Sequence, residues 1–337
     1  MEKHILRYDR EFRCEAGGVL PGIDIAYHCS PGGYHGQKVV LIFHALTASS
    51  DPEAWWPNLV GPGKFFDTEK YFIFCVNMLG SCYGSTGPSS VNPATGTPWF
   101  LDFPRLTVRD VVRAIDIVRC ELGIEKIDLM VGSSIGGFQA IEYAVMFPDV
   151  ALRAVFMATL PRVTPWLTAL EETQRMALEA DPTFRAAKDL DGGKEGLKCA
   201  RCIALLSYRC EDGLNLKQQE PSEDALFPGR ACSYMQHQGN KLADRFDAYS
   251  YWYLSYEVDS DNVGRGRGGV AKALGTIRIP VTVISIDTDL IFPPYEMEQM
   301  AGMIPGADYH MITSHFGHDG FLLENEQISA LLRPLLP

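Results

Sequence analysis

The heptapeptide VGSSIGG, residues 131–137, sets two serines side by side between an apolar run and a helical pattern. A serine attacks a carbonyl only when its hydroxyl is presented to a base. The tight strand-to-helix turn that does this reads Gly-x-Ser-x-Gly, with small residues where the backbone closes on itself. Ser134 has Gly132 and Gly136 at those places, whereas Ser133 would have Val131 and Ile135. Ser134 is therefore the candidate nucleophile, and Ser133 packs or bonds locally. The amide of the next residue, Ile135, is then one donor to the oxyanion of an acyl transfer.

The serine needs a base, and the base needs an orienting carboxylate. Where such a turn occurs in an α/β-hydrolase fold, the chain order is Ser, then Asp or Glu, then His. The run PVTVISI (280–286) is followed by Asp287 and Asp289, and DYHMIT (308–313) by His315 and His318. Both pairs fall in loops at the C-terminal ends of strands, where sites in open α/β sheets lie. Spacing does not choose within either pair. A second oxyanion donor belongs to the loop after an early strand. HALTASS (44–50) follows KVVLIF, and Leu46 is the candidate there.

The elements that must position these groups are readable from periodicity. KVVLIFHA (38–45), YFIFCVN (71–77), KIDLMVG (126–132), ALRAVFMAT (151–159), 280–286 and 308–313 are apolar runs of strand length. Helical patterns lie between them at 107–124, ended by Gly123, and at 137–149, and later at 295–304 and 328–336. Strands buried on both faces with crossover helices predict a mostly parallel α/β sheet. Residues 160–275 break the alternation, with helical segments at 167–180 and 199–209 and an aromatic run, DAYSYWYLSYE (247–257). The expectation is an α/β-hydrolase core formed by 1–160 and 276–337, with 161–275 inserted as a helical lid. The tract GSCYGSTGPSSVNPATGTP (80–98) is long for a connection, which predicts a functional or well-anchored loop.

Composition bounds the function classes. The chain has 337 residues, 46% hydrophobic, enough for a large core with an insertion. Its formal net charge of -12 argues against nucleic acid, and an anionic ligand would need a local cluster of arginines or lysines. No apolar run is long enough to span a membrane. MEKHILRYDREF has no apolar leader segment, and nine irregularly spaced cysteines fit reduced thiols, so a cytoplasmic protein is expected. Cys199 and Cys202 form one Cys-x-x-Cys without a second pair, which predicts ordinary buried or half-buried thiols and no metal site.

Taken in order, HALTASS, NMLGSCYGSTGPSSVNPATGTPWFLDFPRLTVRD, GSSIGG, SYMQHQGNKLADRFDAYSY, VGRGRGG, DTDLIFPP and FGHDGFLLE strongly resemble homoserine O-acetyltransferases. The likeness runs from about residue 12 to the end. It implies Asp289, which precedes the family's Leu-Phe-Pro-like run, and His318, which stands in its Gly-His-Asp unit. It implies Leu46 as the oxyanion donor after His-Ala. It also implies that Arg201, Tyr208 and Asp319 bind the amino-acid substrate. An arginine fork suits an α-carboxylate and a carboxylate suits an α-ammonium. The implied reaction moves an acetyl group from acetyl-CoA to L-homoserine through an acyl-serine in methionine biosynthesis, with no cofactor beyond that co-substrate. The implied assembly is a homodimer through lid helices. Arg265 and Arg267 in VGRGRGG are candidates for the CoA phosphates, against a lid hinge with solvated arginines. The elbow departs from the family's usual Gly-Gly-Ser-Met-Gly-Gly at Ser133 and Ile135. Ala48, Thr288 and Ile291 are further departures, which leave acyl preference open. Succinyl-CoA, L-serine and plain ester hydrolysis are the rival readings.

Overall fold

Two strands that the apolar runs do not announce open the sheet. β1 (Glu2–Tyr8) pairs antiparallel with β2 (Ile23–Cys29), which pairs antiparallel with β4 (Phe72–Val76). β1 is an exposed edge strand with charges at Glu2, Lys3 and Arg7, so it carries no strand-like apolar signal. In this computed structural model, which describes residues 1–336, the remaining strands are parallel. They are β3 (Val39–Phe43), β5 (Leu129–Ser133), β6 (Ala154–Met157), β7 (Val281–Ile286) and β8 (Asp308–Ile312). The order across the sheet is β1-β2-β4-β3-β5-β6-β7-β8.

Every residue of β3 to β7 is buried. Alternation sends their side chains into two cores. Val39, Leu41 and Phe43 face one, with Val111, Ile115, Phe138 and Ile141 from the covering helices. Val40, Ile42, Ile73, Val131 and Ile284 face the other, with Trp56, Phe321, Ile328 and Leu332. Apolar runs without alternation are thus what a sheet covered on both faces requires.

α1 (Val108–Glu121) begins at a capping box in which Thr107 and Asp110 exchange side-chain and backbone bonds, and Gly123 follows its end with φ 68°. α2 (Ile135–Met146) starts two residues earlier than its periodicity suggests, because it grows directly from the elbow. Between β6 and β7 lie α3 (Pro165–Ala180), α4 (Lys194–Tyr208), α5 (Glu211–Lys217), α6 (Arg230–Ala243) and α7 (Ala248–Asp259). α8 (Pro294–Met303) and α9 (Asn325–Leu332) complete the covering layers.

The aromatic run becomes α7, and Tyr249, Tyr251, Trp252, Tyr253 and Leu254 are all buried within the chain. Their polar tips find partners: Trp252 Nε1 donates to Glu179 at 2.9 Å, Tyr253 to Leu101 O at 2.8 Å, and Tyr249 to Phe184 O at 3.2 Å. The 80–98 tract is anchored at its start. Ser85 Oγ accepts from the Ala26 amide at 3.0 Å and donates to Asn77 O at 2.7 Å, which ties the tract between β2 and β4.

VGRGRGG is not a solvated hinge. Arg265 bonds to Glu15 at 2.8 Å, and Arg267 forks onto buried Glu142. Arg109 bridges the same two carboxylates at 2.9 and 3.0 Å. This network stitches the return from the helical segment to α1 and α2. Both arginines pair with protein carboxylates, and neither lines the cavity at Ser134. Cys202 is half-buried as expected, but Cys199 is exposed, on the outer face of α4.

Candidate active site

Ser134 joins β5 to α2 with φ 57° and ψ -131°. A side chain held at positive φ costs about 1–3 kcal/mol and persists only where the surroundings enforce it. Here they do. A Cβ on Gly132 would stand 2.3 Å from Gly136 O, and one on Gly136 would stand 2.3 Å from Phe43 O. The two glycines let the turn close against β3. The Ser134 amide donates to the Met157 and Ala158 carbonyls at 3.2 and 3.1 Å, which pins the turn to the end of β6. Ser133 is the last residue of β5, buried and registered against Met157.

The Ser134 hydroxyl lies 2.9 Å from His318 Nε2, and His318 Nδ1 lies 2.7 Å from Asp289 Oδ2. The other Asp289 oxygen accepts from the amides of Ile291 at 2.8 Å and Phe292 at 3.0 Å. Both oxygens are engaged, so the carboxylate is fixed in rotation. An ionised carboxylate only accepts, so the neutral imidazole carries its proton on Nδ1 and leaves Nε2 to accept from Ser134. His318 is buried against the rings of Tyr208, Phe292 and Phe321, with centroids at 5.7, 5.3 and 5.3 Å. Burial pulls its pKa down. The charge and hydrogen bond of Asp289, with the charge of Asp319, outweigh this and raise it above the ordinary 6.5.

The alternatives that spacing leaves open stand apart from this chain of bonds. Asp287 Oδ1 accepts from the Ser314 amide at 2.9 Å and braces the β7 loop against the β8 loop. His315 is exposed.

β3 runs into the turn 45–48, closed by the Ala48 amide on Ala45 O at 3.0 Å. His44 sets the entry to this turn. Its Nδ1 donates to Ala45 O at 2.9 Å and its Nε2 accepts from the Met78 amide at 3.1 Å. Full burial pushes its pKa down to about 4, so it stays neutral and keeps that pattern of bonds. Among the described residues, neither the Leu46 nor the Ile135 amide donates to a backbone carbonyl.

Ser134, His318, Leu46, Arg201, Tyr208 and Asp319 line one cavity of about 500 Å³. Asp289 and Ile135 are buried behind it. The Arg201 guanidinium sits 5.5 Å from the Tyr208 ring centroid. Burial pushes the Tyr208 phenol well above its ordinary pKa, so it remains a neutral donor. Asp319 is not a free carboxylate: Arg209 is ion-paired to it and also donates to Tyr234 at 3.3 Å. Sequence reasoning passes over Arg209, although it adjoins Tyr208. It also passes over Lys241 and Arg245, which line the same cavity and lie within the SYMQHQGNKLADRFDAYSY motif. With Arg201 they bring three cationic side chains to the cavity. A larger groove of about 870 Å³, lined by Lys64, Lys70 and Arg333, contains no serine–base pair. An oriented base, a strained hydroxyl and two unpaired amides are the equipment for acyl transfer through a serine ester.

Residues 38–325 match the family profile described as the alpha/beta hydrolase fold, and the chain is an α/β-hydrolase-fold protein. A homoserine O-acetyltransferase from Cyclobacterium marinum is 40% identical over 335 residues, 99% of this chain and 95% of that protein. The chain belongs to the homoserine O-acetyltransferase family of acyltransferases. Among solved structures, the homoserine O-acetyltransferase from Bacillus anthracis overlays with TM-score 0.90 at 22% identity, covering 100% of this chain and 98% of that one. Esterase E22 overlays with TM-score 0.90 at 21% identity, covering 100% of both chains. The fold alone therefore does not separate transfer from hydrolysis. No helix among the described residues is long and apolar enough to cross a membrane.

Proposed function

We propose that this chain transfers the acetyl group of acetyl-CoA to the side-chain hydroxyl of L-homoserine by a ping-pong route through acyl-Ser134, supplying methionine biosynthesis. The Ser134–His318–Asp289 relay, opening onto a cavity that also holds Arg201 and Asp319, carries the reading. His318 Nε2 takes the Ser134 proton as Oγ bonds to the thioester carbon. The Leu46 and Ile135 amides hold the oxyanion, the C–S bond breaks, and CoA leaves with the proton. L-Homoserine then enters, its carboxylate toward Arg201 and Tyr208 and its ammonium toward Asp319. His318 deprotonates its hydroxyl, which attacks the acyl carbon and regenerates Ser134.

The ammonium reading of Asp319 includes a competitor, Arg209, whose guanidinium the ammonium must share or displace. Residues 161–275 act as a lid that keeps water from the acyl-enzyme, and the inward placement of Arg201 and Tyr208 from α4 supports this. The implied homodimer is supported by apolar side chains left outside on this segment: Leu216 is 72% exposed, Leu226 83% and Phe227 86%.

Release of CoA thiol tests the reaction. It is expected to be fast only with acetyl-CoA and L-homoserine together. Release that ignores the acceptor identifies a hydrolase, and release only with succinyl-CoA or L-serine moves the substrate. Arg201→Lys is expected to raise the KM for homoserine about tenfold or more, because a lysine cannot make the bidentate carboxylate contact. The acylation burst with a nitrophenyl acetate ester stays unchanged if Arg201 serves the acceptor alone. A lost burst would place Arg201 in the acylation step instead.

A further inference from the structure

The turn that carries Leu46 is held by a side chain from the helical segment. Arg245 follows α6 and lies 198 residues further along the chain. Its Nη1 donates to Thr47 O at 2.6 Å and also to the Tyr83 hydroxyl, and its Nη2 reaches Thr47 Oγ1 at 3.5 Å. Among the described residues, no other hydrogen bond joins the segment 161–275 to residues 44–50. Tyr83 is in turn held edge-on against Phe246, with centroids 5.6 Å apart. One guanidinium thus joins the helical segment, the 80–98 tract and the oxyanion turn, and it does so while lining the cavity that contains Ser134.

The peptide geometry gives this contact a consequence. The turn has one internal bond, from the Ala48 amide to Ala45 O at 3.0 Å, and His44 fixes its first residue. The Thr47 carbonyl and the Ala48 amide share one peptide plane, and Arg245 fixes that plane at its oxygen. Ala45 O and the Leu46 amide share the other peptide plane, so the bond from the Ala48 amide to Ala45 O ties the aim of the Leu46 amide to the plane that Arg245 holds. An oxyanion donor acts only when it is already aimed where charge develops. We propose that Arg245 is a positioning residue that holds the Leu46 amide on the oxyanion through Thr47, so that acylation is coupled to the seated lid. This rests on the reading of Leu46 as an oxyanion donor.

The test is the pre-steady-state burst of nitrophenolate from p-nitrophenyl acetate, which reports acylation of Ser134 without CoA or homoserine. Arg245→Ala is expected to slow the burst about 10- to 100-fold, within the loss tied to a misplaced donor. The loss falls in the rate constant and not in the ester's KM. Added guanidinium ion restores several-fold of it. Arg245→Met keeps the aliphatic stem and serves if the alanine variant does not fold, with the same expected loss and recovery. A folded variant that acylates within twofold of the parent rate overturns the proposal. So does a loss that guanidinium leaves untouched, or one confined to KM. A parent protein that bursts normally but never transfers to homoserine overturns the acceptor assignment and leaves Arg245 standing.

Discussion

Ser134→Ala is expected to lower kcat by about 10⁵- to 10⁶-fold, the loss seen when a serine nucleophile of a triad is removed. The reason is local. Among the described residues, no other hydroxyl bonds to His318, whose Nε2 faces Ser134 Oγ at 2.9 Å and whose ring is otherwise packed against Tyr208, Phe292 and Phe321. Intact-mass measurement after mixing with acetyl-CoA should show the acetyl adduct on the parent and none on the variant. Homoserine affinity, read by calorimetry, should stay within a few-fold, since the variant leaves Arg201, Tyr208 and Asp319 in place. Turnover within tenfold of the parent would remove Ser134 from the chemistry, and with it the ping-pong route.

Asp289→Asn is expected to cost about 10⁴-fold in kcat while the fold persists. The direction of the amide decides this. The Ile291 and Phe292 amides point at one oxygen of residue 289, at 2.8 and 3.0 Å, and will hold the asparagine oxygen there. The NH₂ group is then turned to His318 Nδ1 and can only donate. Nδ1 becomes the acceptor, the ring proton moves to Nε2, and the base toward Ser134 is lost. The pH profile should move as well. Activity needs neutral His318, so it rises with pH through the His318 pKa. That pKa is pulled down by burial and held above 6.5 by Asp289 and Asp319. With Asp289 gone, burial faces less opposition, and the acid limb should shift to lower pH even as the maximum rate collapses. A variant with an unmoved acid limb would mean that another group sets it.

What the sequence made legible divides along physical lines. Gly132 and Gly136 name Ser134 because the close approach that they permit is a local property, and the 2.3 Å clashes of an added Cβ are its structural counterpart. The five central parallel strands were legible because burial on both faces leaves uninterrupted apolar runs. β1 was not, because an edge strand facing water is free to carry Glu2, Lys3 and Arg7. Asp289 and His318 were separable from Asp287 and His315 only by resemblance, since residues two or three apart in a loop differ in direction and not in pattern. Arg209 and Arg245 were illegible for another reason. Their partners, Asp319 and Thr47, lie 110 and 198 residues away. A surface-looking arginine acquires meaning only when distant backbone is brought to it.

The order of the sheet also has a bearing on how the molecule comes into being. β6 and β7 are hydrogen-bonded neighbours, with Ala154 registered against Val281, yet the whole helical segment is made between them. The bond from Ser134 to His318 spans 184 residues, and the one from the Trp56 indole to Phe321 O spans 265. Contacts of such separation form late, because the loop entropy must be overcome before they return anything. On the ribosome, β3 to β6 can associate while the elbow is still without its base. β7 and β8, which deliver Asp289 and His318, are synthesised after the elbow and the helical segment. A nascent chain therefore carries Ser134 without its base until β7 and β8 dock, so acylation of a new molecule would double as a report that its sheet is complete.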